Sequence, residues 1–260
     1  MFTRIIHRAA LPFLLLLILL PLTAFALDMS EYLPAECGQS LDLDDFQHPT
    51  CVKKMVSKVL SIAIIAGAGI LKVPQIVGIV RSKSIEGLAA ESFYLEAISL
   101  TASVMYSWKQ GYPLTTYGES IIINAQVFVL ILLVWVYAKP KVLASRRVSL
   151  MVGYGFAVAL MHSLPPNMRP VLLFAGTVLN ISSRMPQIWI NFRNKGTGQL
   201  SIITWSLNAA GGAARIFTTL TEVDDVFVML GFVLGFTTSV VLVLQIVAYE
   251  YAGLGKKKKA

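Results

Sequence analysis

Two basic side chains lie inside otherwise apolar segments, at matching places in the chain. Lys72 and Arg184 each stand two residues before a proline, Pro74 and Pro186. Ionised groups within membrane segments are costly and are usually functional or paired. An ammonium binds phosphate well, and the planar guanidinium fork binds it especially well, so the pattern predicts a site for a phosphorylated headgroup. The alternative is that both side chains reach the water at the ends of their helices.

Other polar residues in apolar segments are candidates for the same site. Glu96 and Arg215 could pair across a helix interface and fix its geometry, or they could line a cavity. Glu119 lies near the start of a segment, where solvation is a sufficient explanation. Asn180 and Asn208 could bind sugar hydroxyls, but hydrogen bonds between helices explain such residues equally well.

Enzyme chemistry finds little support in the sequence. The three histidines, His7, His48 and His162, are scattered. No metal-ligand cluster, nucleophile motif or phosphate loop is present, so we predict no catalytic residue, metal or cofactor. The basic residues occupy short loops and a tail rather than a face with interleaved aromatics, which argues against nucleic-acid binding.

The elements that carry these residues are predicted to be membrane helices. The 260-residue chain is 56% hydrophobic and 14% charged, whereas about 25% charged is typical of soluble domains. Apolar runs of about 20 residues recur, and each can cross a hydrocarbon core of about 30 Å. We predict an all-α membrane protein with seven transmembrane helices, at 55–80, 89–108, 118–138, 148–164, 169–192, 200–220 and 226–249.

The two ends of the chain have patterns that are typical of targeting signals. Residues 1–26 have a basic start, an apolar stretch and a small-residue cleavage site, which indicates a signal peptide or an uncleaved anchor. Basic residues are concentrated in alternate loops, which places residues 27–54 in the lumen and the basic tail, 250–260, in the cytosol. Lys257 and Lys258 match a dilysine signal for retrieval to the endoplasmic reticulum. A solvated basic tail near anionic lipid is the alternative.

Both cysteines lie near the luminal segment. Cys37 and Cys51 are either unrelated residues or the two halves of one luminal disulfide.

The chain contains an internal repeat. Lys72-Val73-Pro74-Gln75-Ile76 recurs 112 residues later as Arg184-Met185-Pro186-Gln187-Ile188. The repeat predicts two parallel three-helix bundles, 55–138 and 169–249, joined by a linker helix at 148–164. In such proteins the ligand site tends to lie between the halves.

The paired prolines have a predicted structural role. A proline removes a backbone donor and kinks a helix, so Pro74 and Pro186 are either hinges or static kinks. We expect Gln75 and Gln187 to bond the carbonyls that the kinks leave free.

Two Pro-Gln pairs in this three-one-three layout resemble the PQ-loop family, which shares its fold with the SWEET sugar transporters. Within that family the chain is similar to the mannose-P-dolichol utilization defect proteins. The similarity covers residues 55–250. The segments that carry it are Lys72-Val73-Pro74-Gln75, Lys83-Ser84-Ile85-Glu86-Gly87-Leu88, Tyr117-Gly118-Glu119, Gly196-Thr197-Gly198-Gln199-Leu200-Ser201 and Ala214-Arg215-Ile216-Phe217-Thr218.

The resemblance implies a protein of the endoplasmic reticulum membrane that is required for the use of dolichol-phosphate-mannose and dolichol-phosphate-glucose as luminal sugar donors. Those donors feed the N-glycan precursor and GPI anchors. The protein would flip the lipid or present it to luminal glycosyltransferases. The alternatives are a PQ-loop transporter of a small solute, sugar or amino acid, and a membrane receptor or scaffold that transports nothing. The dilysine tail favours the first or the last.

Overall fold

The computed structural model describes residues 49–85, 90–197 and 200–252. Every regular element in these ranges is helical. The predicted signal segment (1–26), the acidic stretch before residue 49, Cys37, Lys257 and Lys258 lie outside the described residues, so the interpretations placed on them remain predictions.

Eight helices and two shorter helical turns follow one another along the described chain. In order, the helices are α1 (Pro49–Leu71), α2 (Val73–Ser82), α3 (Ala90–Lys109), α4 (Leu114–Tyr137), α5 (Ala144–Ser163), α6 (Arg169–Asn194), α7 (Ile202–Glu222) and α8 (Val226–Ile246). A 3-10 turn at Pro166–Met168 precedes α6, and a π-helical turn at Val247–Tyr251 continues α8.

A helix is found at each of the seven predicted positions, but the predicted number of membrane spans is not established. Among the described residues, three stretches are long and apolar enough to cross a membrane: Cys51–Ser82, Leu114–Tyr137 and Val226–Tyr251. A fourth is counted if the pair Ala144–Ser163 and Pro166–Val178, bent by 117°, is one broken span. The remaining helices carry more polar side chains, which lowers their hydropathy, so the 3+1+3 membrane arrangement stays a prediction.

The described helices form two compact units whose boundary lies between Leu172 and Leu173, inside α6. The first unit has an apolar core built by α2, α3 and α4. Its buried residues include Ile79, Phe93 and Leu130, which are 3%, 4% and 0% exposed. Burial of such side chains is the main favourable term in packing a core of this kind in water, and close van der Waals contact takes that role in lipid.

Small side chains bring α1 and α4 close together within the first unit. Ser57, Ser61 and Thr115 are fully buried. A Cβ atom on Gly118 would lie 3.2 Å from Cδ1 of Ile65, so the glycine makes room for that side chain. Small-residue interfaces of this type are how membrane helices approach one another.

The predicted linker helix, α5, packs on the first bundle. Tyr154 stacks edge-on against Phe128 with 5.4 Å between ring centroids. Its hydroxyl lies 2.6 Å from Oγ1 of Thr101, which also accepts a hydrogen bond from Asn124. The linker is therefore part of the first unit rather than a free connection.

The second unit repeats the small-residue contact of the first. Gly231 on α8 faces Thr177 on α6 as Gly118 on α4 faces Ile65 on α1. The first-helix residues are 112 apart (177 − 65) and the glycines are 113 apart (231 − 118). At this contact the third helices of the two bundles therefore align with an offset of 113 residues, one more than the 112 that relates the first helices. An ungapped comparison of the sequence does not show this difference.

Candidate functional site

The first Pro-Gln motif coincides with a break between two helices. α1 ends at Leu71, α2 begins at Val73, and Pro74 lies in the first turn of α2, where its missing N–H costs nothing. Gln126 of α4 inserts its amide into the break. Its Oε1 accepts from the Lys72 N–H at 2.9 Å, and its Nε2 donates to the carbonyls of Ala68 and Gly69 at 2.8 and 3.0 Å.

The amide that satisfies the broken backbone therefore belongs to Gln126 and not, as we expected, to Gln75. The reason is geometric. Gln75 is on the broken helix itself, whereas Gln126 is 2% exposed on the helix that packs against the break.

The Lys72 side chain is also engaged within the first unit. Its Nζ lies 2.7 Å from Oε1 of Glu96, with the two side chains 18% and 33% exposed. Glu96 thus has Lys72 as an ionic partner within its own unit, and the pairing with Arg215 stays a prediction. Because its charge is neutralised, Lys72 is a weaker candidate for phosphate binding than the sequence implied.

The second Pro-Gln motif has a different backbone. Pro186 lies inside α6, which continues without interruption from Arg169 to Asn194. The two prolines are therefore equivalent in sequence but not in local structure. Their role as hinges remains a prediction.

Arg184 is held by neutral groups. Its Nη1 lies 3.0 Å from Oγ of Ser239 and 3.3 Å from both Oγ1 of Thr238 and the Gly235 carbonyl. Its guanidinium carbon lies 5.6 Å from the centroid of the Trp205 ring. Within the described ranges no carboxylate lies within ion-pair distance of Arg184. The position equivalent to Glu96 is Asn208 (96 + 112), which is exposed.

Three side-chain amides form a chain beside this arginine. Gln187 Nε2 donates to Asn191 Oδ1 at 2.8 Å, and Asn191 Nδ2 donates to Gln245 Oε1 at 3.0 Å. Gln245 Nε2 then donates to the carbonyl of Ile188 at 2.9 Å. Asn191 is 1% exposed, so the chain connects α6 to α8 through a buried centre.

The amide chain opens onto a cavity of about 550 Å³ in the second unit. Volumes of this size are typical of small-molecule sites. The lining comes from the last turns of α6, the connection that follows and the first turn of α7, and it combines polar side chains with apolar surface. Its members are Gln187, Ile190, Asn191, Asn194, Gly196, Thr197, Leu200, Ser201, Thr204 and Trp205.

The connection that borders the cavity is attached to the end of α8. Glu250 Oε1 accepts from both the N–H and the hydroxyl of Thr197, at 3.2 and 3.1 Å. Lys195 Nζ lies 4.4 Å from the Phe192 ring centroid and 5.8 Å from that of Tyr249. These contacts hold one rim of the cavity in place.

The structure brings only part of the predicted set to this cavity. Gln187 lines it, and Arg184 approaches it through Trp205. Arg215 is 3% exposed on α7 and Glu119 is half-buried on α4. The side chain of Asn180 lies outside the described ones.

Cys51 is disulfide-bonded and 1% exposed, and its predicted pairing with Cys37 falls outside the described residues.

Sequence reasoning missed Asn191, Thr197 and Glu250. One signal was available for the first, because Asn191 follows Gln187 by four residues and so shares its helix face. Glu250 offered no such signal, since it is 53 residues from Thr197. Across the described residues, no group of histidine, cysteine and acidic side chains could hold a metal ion.

Helices with spanning length and an internal repeat define a helical membrane protein with two related halves. The PQ loop repeat model matches the chain twice, at residues 56–116 and 170–228. The chain is therefore a PQ-loop repeat protein.

Among curated proteins, the chain is similar to "Solute carrier family 66 member 3" of Homo sapiens. The two are 27% identical over 180 residues, which cover 69% of this chain and 87% of the human protein.

Proposed function

We propose that this PQ-loop protein acts in the endoplasmic reticulum membrane on dolichol-phosphate-linked mannose or glucose, making these lipids available as luminal sugar donors. In this proposal the seven helices cross the membrane in the 3+1+3 arrangement, with the C-terminus in the cytosol. The partners are the lipid-linked sugar, the bilayer and luminal glycosyltransferases. The activity is flipping or presentation of the lipid, without bond-breaking chemistry.

The proposal rests on the surroundings of Arg184. Its charge is not balanced by a carboxylate within the described residues, whereas Lys72 at the equivalent position is paired with Glu96. A half-buried cation that only neutral oxygens solvate is a favourable place for an anion, because the anion supplies the missing countercharge. Among sugar ligands, a phosphate-linked sugar meets this requirement and a neutral one does not.

The surroundings of Arg184 agree with a ligand that also carries hydroxyl groups. Amides and hydroxyls both donate and accept hydrogen bonds, as sugar hydroxyls do. Gln187, Thr204 and Ser201 place such groups along the cavity, and Trp205 adds an aromatic surface. This combination favours a polar headgroup over a purely apolar lipid.

The test is the profile of lipid-linked oligosaccharides in cells that lack the protein. We expect precursors that stop before the luminal mannoses although dolichol-phosphate-mannose itself accumulates normally. Rescue by Arg184→Gln should be poor, because the phosphate partner is lost. Rescue by Arg193→Gln should be complete, since Arg193 is exposed at the end of the same helix. A full-length precursor profile in the deletion cells would refute the proposal.

Localisation can be tested separately. Serine at both Lys257 and Lys258 should move the protein out of the endoplasmic reticulum if these residues form a retrieval signal. An unchanged distribution, measured by microscopy against a reticulum marker, would reject that signal.

A second candidate is transport of a small solute. It is favoured by the similarity to a human protein whose name describes a solute carrier. Purified protein in liposomes should then accelerate uptake of sugars or amino acids, and this should coincide with a normal oligosaccharide profile in the deletion cells.

A further inference from the structure

We infer that the second repeat forms the headgroup site: its cavity holds the hexose, Gln187 accepts a hydrogen bond from a sugar hydroxyl, and Arg184 binds the phosphate. This inference rests on the proposed function and specifies which residues of the chain distinguish a sugar-bearing lipid from a bare lipid phosphate. Among the described residues, the first repeat instead has buried apolar side chains at several of the equivalent positions.

The hydrogen bonds of the amide chain all run in one direction, which leaves Oε1 of Gln187 as an acceptor for the ligand. Gln187 and Gln245 both donate through Nε2, to Asn191 and to the Ile188 carbonyl. The chain therefore ends on Oε1 of Gln187, which receives no hydrogen bond from any described residue. Gln187 is half-buried and lines the cavity, so a hydroxyl of the ligand can donate to this oxygen.

Asn191 acts on the ligand through Gln187. It is 1% exposed, and both ends of its amide are engaged by other side chains. It is therefore a positioning residue that fixes which end of the Gln187 amide faces the cavity. Replacing Asn191 would free the Gln187 amide to rotate. The cavity would then no longer favour a ligand group that donates a hydrogen bond.

The equivalent positions of the first repeat are apolar. Asn191 corresponds to Ile79 (191 − 112) and Trp205 to Phe93 (205 − 112). These residues are 3% and 4% exposed in the core of the first unit. Thr197 corresponds to Ile85, which packs against the same core. At these three described positions, apolar side chains of the first repeat thus replace residues that line the cavity in the second.

The size and surroundings of the cavity suit a sugar phosphate attached to a lipid. A volume of about 550 Å³ accommodates a hexose and its phosphate but not a long isoprenoid chain. Ile190 lines the cavity and is 49% exposed, and Trp189 beside it is 64% exposed. These two exposed side chains offer an apolar surface to the chain of the lipid.

The experiment measures binding of radiolabelled lipids to the full-length protein in nanodiscs. The probes are dolichyl-phosphate mannose and dolichyl phosphate. Gln187→Leu should weaken binding of the mannose lipid about tenfold, as expected for the loss of one hydrogen bond to a ligand. It should leave dolichyl phosphate unchanged. Arg184→Gln should weaken both lipids.

Gln75→Leu is the matched control, because it changes the same motif position in the first repeat. It should leave both affinities within twofold of the wild type. Thr204→Val, which keeps the side-chain shape, provides a second cavity variant in case Gln187→Leu folds poorly, and it should also weaken only the mannose lipid.

The outcomes separate the inference from the proposed function. If the wild type binds the mannose lipid but Gln187→Leu and Thr204→Val bind it unchanged, or if Gln75→Leu weakens it equally, the inference fails and the proposed function stands. If the wild type binds neither lipid, the proposed function fails as well.

Discussion

Lys72 and Glu96 form an ion pair of 2.7 Å in the first unit, and the same two repeat positions hold Arg184 and Asn208 in the second. The carboxylate of Glu96 neutralises Lys72, whereas the amide of Asn208 at the equivalent position supplies no countercharge to Arg184. The two halves of the protein share a repeated pattern but differ in charge at these positions. We expect the first half to be mainly structural and the second to carry the ligand.

Breaking the Lys72–Glu96 pair should destabilise the first unit. Glu96→Gln leaves a half-buried ammonium without a countercharge, which should cost about 1–3 kcal/mol of unfolding free energy. Thermal unfolding of the purified protein in detergent measures this. Glu91→Gln is the control, because the Arg146–Glu91 pair is 61% and 73% exposed and should contribute less than about 0.5 kcal/mol. Equal effects of the two variants would contradict the assignment.

Gln126 should be among the most sensitive polar residues of the chain. Gln126→Leu keeps the volume but leaves the Lys72 N–H and the Ala68 and Gly69 carbonyls without their present partner. We expect a loss of about 2–4 kcal/mol in unfolding free energy, since unsatisfied buried groups cost about 1–3 kcal/mol each and partial relaxation reduces the sum.

The control for Gln126 is Gln110→Leu. Gln110 is exposed, and its side-chain amide donates only a long hydrogen bond of 3.4 Å to the Tyr106 hydroxyl. Chemical unfolding monitored by tryptophan fluorescence should show little change for this variant. A Gln126 variant as stable as the wild type would mean that the helix break does not need the amide.

Two adjacent glycines of α7 should respond oppositely to alanine. A Cβ atom on Gly212 would lie 3.1 and 3.2 Å from the Cβ and Cα atoms of Phe236. Because the backbone of α8 cannot yield as a side chain can, Gly212→Ala should cost about 1–3 kcal/mol. A Cβ on Gly211 meets nothing within 4 Å, so Gly211→Ala should be neutral or stabilise by up to about 1 kcal/mol. Melting temperatures of the two variants, compared side by side, test the packing of α7 on α8.

The rim of the cavity should loosen when its attachment to α8 is removed. Glu250→Ala eliminates both hydrogen bonds to Thr197, and Thr197→Val eliminates only the one from the hydroxyl. We expect amide exchange around residues 195–197 to accelerate about tenfold or more for the first variant and less for the second. Hydrogen exchange read by mass spectrometry checks the order. Identical protection in both variants and the wild type would show that Glu250 does not hold the rim.

The helices could be predicted from the sequence because their signals are local. Runs of apolar residues and the Pro-Gln repeat placed a helix at every position where the structure has one, with ends displaced by a few residues. The break at Lys72 could not be placed as reliably, because the similar motif around Pro186 lies in a continuous helix. Whether a proline breaks or merely occupies a helix depends on what packs against it, here the amide of Gln126.

The candidate site could be predicted only in part. Arg184 and Gln187 were identifiable because they belong to the repeated motif. Thr197 and Glu250 were not, because the two are 53 residues apart in the chain, whereas the spacing of Asn191 from Gln187 gave a local signal that went unused. The one-residue shift between Gly118 and Gly231 illustrates the difficulty, since no ungapped comparison of the halves reveals it.

The amino-acid sequence by itself determined that this is a helical, repeat-containing membrane protein of the PQ-loop type, because composition and short motifs suffice for those conclusions. The tertiary structure decided which cation is neutralised, which amide fills the helix break and where a cavity remains open. Those outcomes depend on the rotation and register of helices against one another, since a side chain meets its partner only when both face the same interface at the same height.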